Sequence, residues 1–176
     1  MNIFLKLSVI ILIIFLNSCS TKEEKISIIQ EKELRLQMID AYKEGVKALE
    51  EGDVLFAAKK FNEAEILFPQ SDYAPKAALM AAYSYYTQDY LGDAIAELQR
   101  FLKVYPFYEN LDYIYYLMAV CYYEQIVDEK KDLQSIINAK KTFEIVINNY
   151  PNTEYSLDSE FKLDLINDIL ASKEMY

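Results

Sequence analysis

Apolar residues fall into two patterns along this chain. Leu7 to Leu16 (LSVIILIIFL) is a ten-residue apolar run, led by the short positive segment Met1 to Lys6 and stopped by Asn17-Ser18. Downstream, apolar and small residues alternate with polar ones at helical spacing, and prolines and polar caps punctuate the pattern. The expected helices are Ile26–Glu51, Val54–Leu67, Tyr73–Thr87, Leu91–Val104, Leu111–Val127, Leu133–Asn149 and Thr153–Met175. Ser71 or Asp72, Asn110, and Asn152 or Thr153 are the expected caps, because their side-chain oxygens can accept from the free amides of a first turn.

The second pattern repeats. Ala57, Phe61 and Pro69 have the spacing of Ala94, Leu98 and Pro106, and again of Ala139, Phe143 and Pro151. The interval between units is 37 residues and then 45, and the excess of eight is placed in the charged stretch Val127 to Ser135. In each unit the small residue sits where two helices approach closely, and the large apolar residue four positions later shares its face. This is the helix-turn-helix of the tetratricopeptide repeat. The first unit matches most fully, with Gly45, Gly52, Asp53, Ala57, Phe61, Ala64 and Pro69; in the second, Ala82 stands for the first-helix Gly and Asp89 for the turn Gly. The fold expected is all-α: a solenoid of antiparallel helix pairs forming a right-handed superhelix, with repeats at about 38–71, 75–108 and 111–152 within a unit spanning 26–176. A further helix spans 153–176. The chain ends at Glu174-Met175-Tyr176 without a cap, Gly or Pro, so this helix is expected to continue in a longer parent protein.

Composition narrows the chemistry. With 3 Gly, 4 Pro and 53% hydrophobic residues, neither disorder nor a loop-rich β fold is favoured. A net charge of −10 argues against nucleic acid as a partner, which would require clustered Lys and Arg. The chain has no His and only two Cys, so metal and triad chemistry lack their usual groups and no metal or cofactor is expected. The carboxylate pairs Glu23-Glu24 and Asp128-Glu129 lie in charged stretches with no partner in a contrasting environment, and no catalytic residue is assigned. Cys121, set among Leu117-Met118-Ala119-Val120, reads as a small buried hydrophobe, and Asp53 with Glu50-Glu51 as a solvated turn.

The apolar run of ten is half the length needed to span a bilayer and has the form of a signal peptide, residues 1–18. Leu16-Asn17-Ser18-Cys19 resembles the lipobox of bacterial lipoproteins, in which the Cys becomes the acylated first residue. Residues 19–25 then read as a lipidated tether, with covalent lipid on Cys19. Ser20 follows, where Asp would favour inner-membrane retention, so the resemblance implies an outer-membrane destination on the periplasmic face. A Cys19–Cys121 disulfide, or ordinary secretion, is the alternative.

Four segments around the repeats, Ser71-Asp72-Tyr73-Ala74-Pro75-Lys76-Ala77, Asn110-Leu111-Asp112-Tyr113-Ile114-Tyr115-Tyr116-Leu117, Tyr122-Tyr123-Glu124-Gln125 and Tyr150-Pro151-Asn152-Thr153-Glu154-Tyr155-Ser156, resemble in order and spacing the BamD family of β-barrel assembly lipoproteins. The resemblance implies a non-enzymatic scaffold. Its implied partners are a BamA-like barrel protein, other Bam components, unfolded outer-membrane protein peptides and, through the lipid, the membrane. It also implies a peptide groove on the first helices of the repeats. Tyr42, Tyr83, Tyr86, Tyr113, Tyr116 and Tyr123 are the candidates, since Tyr offers large contact area with a polar tip. Aromatic stripes at this spacing also pack between helices, and that reading stays open. The second functional reading is a structural lipoprotein of cell-envelope organisation or division.

Overall fold

A computed structural model describes residues 28–126 and 133–174. It contains seven helices and, among the described residues, no strand: α1 (Ile28–Glu50), α2 (Val54–Leu67), α3 (Tyr73–Tyr86), α4 (Leu91–Val104), α5 (Leu111–Glu124), α6 (Leu133–Asn149) and α7 (Glu154–Glu174). The chain forms two units, residues up to Glu33 and Leu34–Tyr176; all the packing below lies in the second. There, α2 through α7 each pack on the next in sequence, and α5 also touches α7. The seam between α1 and α2 is lined by Met38, Ala41, Ala48, Ala57, Phe61 and Ala64.

The helix pairs close around the residues that recur. Ala57, Ala94 and Ala139 are fully buried, as are Phe61, Leu98 and Phe143 four positions on. Ala64, Phe101 and Val146, three further along, are buried as well, giving each second helix an inward stripe. Facing these stripes are small residues of the first helices: Gly45 against Phe61, Ala82 in the same core as Leu98, and Ala119 in the same core as Phe143. At Gly45 the approach is so close that a Cβ would stand 2.9 Å from Cε1 of Phe61.

The turns use backbone chemistry that the sequence shows in part. Gly52 and Asp89, one period apart, both adopt left-handed dihedrals, with φ of 82° and 60°. Asn152, after Pro151, does the same at φ 70°; Asn and Asp tolerate this region better than other non-glycine residues. Of the expected caps, Thr153 acts as one, its Oγ1 accepting from the Ser156 amide at 3.1 Å. Asp72 and Asn110 make no side-chain cap. Asp72 already has helical dihedrals, which carry its carboxylate away from the first-turn amides. Ser71 Oγ is buried without a hydrogen bond among the described residues, while its carbonyl accepts from Ala74. The cap missed is Asp53, expected only as part of a solvated turn: it is exposed, yet it accepts from the Phe56 amide at 3.1 Å and starts α2.

The helices α1, α3 and α5 end earlier than expected, with Glu51, Thr87 and Gln125 just past their ends. The inserted stretch Val127–Ser135 is not all turn. Leu133, Gln134 and Ser135 are helical and lengthen α6 to 17 residues, against 14 in α2 and α4; residues 127–132 lie outside the described part.

Candidate functional site

The period of 37 sorts the tyrosines before any distance is measured. Tyr42, Leu79 and Tyr116 occupy one position of the first helix; Val46, Tyr83 and Val120 another; Leu49, Tyr86 and Tyr123 a third; and Lys76 and Tyr113 a fourth. These positions are three or four residues apart, so all six candidates fall on one stripe of α1, α3 and α5. All six are half-buried. Their rings pack at one edge and meet solvent at the other, so packing and display are not alternatives for them.

The structure brings five of the six together on α3 and α5 and separates the sixth. Tyr83 and Tyr86 meet at a tilt, ring centres 6.2 Å apart, on α3. On α5, Tyr113 and Tyr116 both meet the ring of Tyr155 on α7, at 5.4 and 5.1 Å. Tyr116 and Tyr123 flank Phe143, each at 6.4 Å. Tyr83, Tyr86 and Tyr113 pack against one core, and burial, reinforced by the neighbouring phenols of Tyr83, Tyr155 and Tyr86, pushes the Tyr113 hydroxyl up to about 12. Tyr42 packs instead edge-on against Phe61 at 5.1 Å and Tyr73 at 6.4 Å, and burial raises its hydroxyl too. Tyr155 was not among the candidates. It lies four residues after Pro151 as Tyr73 lies four after Pro69, and that spacing was the signal available.

Carboxylates hold the polar tips. The Tyr116 hydroxyl donates to Asp158 at 2.7 Å and the Tyr86 hydroxyl to Glu124 at 3.4 Å, so α3 is tied to α5, and α5 to α7, each first helix to the next. Burial, then the Asp158 hydrogen bond, drives the Tyr116 hydroxyl well above its ordinary value. Between α5 and α7 a recess of about 250 Å³ is lined by Leu79, Asn110, Asp112, Tyr113 and Tyr155. A more open trough of about 710 Å³ lies past Tyr86, against Asp89, Leu91 and Glu124.

The second helices carry a different cluster. Arg100 on α4 donates through both terminal nitrogens to the two oxygens of Glu65 on α2, at 3.0 and 2.6 Å, and through Nε to Glu97 at 2.8 Å. The Tyr105 hydroxyl donates to Glu65 at 2.7 Å. Glu65 is only 6% exposed, and its hydrogen bonds hold the Arg100 guanidinium charged. Every group of this cluster is satisfied internally, so it serves as a clasp between the first two repeats.

A family profile described as YfiO, outer membrane lipoprotein, matches residues 35–176. The chain belongs to the YfiO family. Proteins named outer membrane protein assembly factor BamD are similar to this YfiO-family chain: that of Caulobacter vibrioides is 35% identical over 157 residues, covering 89% of this chain and 50% of its own length. That of Rickettsia prowazekii is 34% identical over 160 residues, covering 91% and 61%. The YfiO-family chain therefore spans about half to three-fifths of the length of these relatives. Its fold is also that of a solved structure, the first tetratricopeptide domain of Spaghetti (RPAP3) bound to the HSP90 peptide SRMEEVD, with a TM-score of 0.56 at 18% identity over 77% of this chain and 94% of that one.

Burial pushes the Cys121 thiol up to about 12, which keeps it protonated. No group of three or more Cys, Asp or Glu is placed to hold a metal ion among the described residues. None of the described helices is long and apolar enough to cross a membrane. Cys19 and the apolar run before it lie outside the described residues.

Proposed function

We propose that this chain is a non-enzymatic scaffold of outer-membrane β-barrel protein assembly, held at the periplasmic face of the outer membrane by lipid on Cys19. On this reading the tyrosine row captures extended segments of unfolded outer-membrane proteins and passes them to a BamA-like barrel protein and its companions. The observation that carries the proposal is the row itself: half-buried rings on one shared stripe of the first helices, in a chain of the YfiO family. Rings fixed at one edge offer contact area with little conformational entropy left to lose, which suits capture of a flexible peptide. The solved tetratricopeptide neighbour was captured with a peptide, which supports this use of the fold.

The test is purification from detergent of the protein at natural expression. A large barrel protein should co-purify with it, and its depletion should leave barrel proteins unfolded in the periplasm. Absence of any barrel partner would refute the role. Cys19→Ala should leave the repeats folded and release the protein from washed membranes, since two or more acyl chains are what anchors a chain stably; retention of the variant would refute lipidation.

A further inference from the structure

We infer that the recess between α5 and α7 takes a cationic side chain, Lys or Arg, of an extended peptide lying along the tyrosine row; the inference rests on the capture role proposed above. The recess, at about 250 Å³, is of side-chain size, and its walls are the rings of Tyr113 and Tyr155. The face of an aromatic ring is negative and attracts a cation placed over it. At the rim stands Asp112, half-buried, one oxygen accepting from the Tyr113 amide at 2.8 Å. No lysine or arginine pairs with Asp112 among the described residues. The Tyr155 hydroxyl is raised by burial and then by Glu154 and Asp112, which locates a second carboxylate at the same ring.

The row already holds a cation of its own in this manner. Lys162 on α7 places its ammonium 5.5 Å from the centre of the Tyr123 ring and 3.6 Å from Asp158, the carboxylate that also accepts from Tyr116. At the near end Lys76 stands 5.6 Å over the ring of Tyr73. Ring plus carboxylate is thus a cation-holding pair on this face, and the recess offers both with no cation supplied by the described residues. The net charge of −10 adds a long-range bias in the same sense, drawing basic segments and repelling acidic ones.

The experiment uses the full chain in detergent and three fluorescent, aromatic-ended peptides of equal length that differ at two central positions: Lys, Gln or Glu. Fluorescence polarisation at low salt should rank them Lys, Gln, Glu, with about tenfold or more between the ends. At about 500 mM salt the spread should shrink to roughly twofold. Asp112→Asn should weaken the Lys peptide about fivefold and leave the Gln peptide unchanged. Lys162→Met, which removes a neighbouring positive charge from the same face, should strengthen the Lys peptide by about twofold, a gain that misfolding does not produce. Equal binding of all three peptides, or a preference untouched by Asp112→Asn, overturns the inference and leaves the capture role standing. If no peptide binds at all, both fall.

Discussion

The two sides of the first-to-second repeat region and its continuation treat tyrosine and carboxylate in opposite ways. On the second helices, Glu65, Arg100 and Tyr105 close on one another, and the arrangement occurs once: one period on from Glu65 stands Leu102, and in the third unit Ile147. On the first helices the tyrosines of α3 and α5 share one stripe and meet Tyr155 of α7, each spends only part of its surface on its neighbours, and a recess is left between them. Both sides join one repeat to the next. The clasp is complete without a partner, whereas the row has ring faces and a carboxylate to spare, and that difference is why the proposed binding role falls to the row.

The comparison breaks most visibly at Arg100. Arg100→Met strands Glu65 among buried neighbours and should cost about 2 kcal/mol, below the range for wholly buried pairs because the guanidinium partly meets water. Urea denaturation should show it as a lower midpoint, with peptide affinity unchanged. The double variant Glu65→Leu with Arg100→Met should recover most of the loss, since an apolar pair of similar volume satisfies the site. Persistence of the full loss in the double variant would mean that the clasp is not the source. Next in size, Tyr116→Phe removes the hydroxyl bonded to Asp158 and should cost about 1 kcal/mol while leaving ring contacts with Tyr155 in place. The remaining effect is alkaline. An unfolded phenol loses its proton near its ordinary value of 10, while folded Tyr113 keeps its proton up to about 12. The folded state therefore binds more protons between those values, and stability falls as pH rises through that window. Melting temperature followed from pH 9 to 12 should decline less steeply in Tyr113→Phe than in the parent chain; an identical slope would show that Tyr113 is not shielded.

Much of this was legible in the chain. Three prolines and three pairs of Ala and a large apolar residue, four apart, mark the second helices, because only small side chains let two helices meet and a period of 37 leaves few other registers. The tyrosine stripe followed from the same arithmetic. What escaped were features decided by local dihedrals and by the third dimension. Ser71, Asp72 and Asn110 have capping chemistry but not capping geometry, while Asp53 has both. The Glu65–Arg100 clasp joins residues 35 apart through side-chain reach, and no periodic signal announces it. Tyr155 joined the row because α7 continues the stacking of α5, a contact that single-helix patterns do not show.

The bare α-carbon at Gly45 makes the hairpins unequal parts despite their shared rhythm. Phe61 lies flush against it, whereas Ala82 and Ala119 carry a methyl at the matching place opposite Leu98 and Phe143. A shuffled chain that grafted α3 onto α2 would drive that methyl into the Phe61 ring, while α1 set against α4 would merely leave a gap. Recombination among these units is therefore directional, and the opening hairpin is free to donate its first half but not to accept another's.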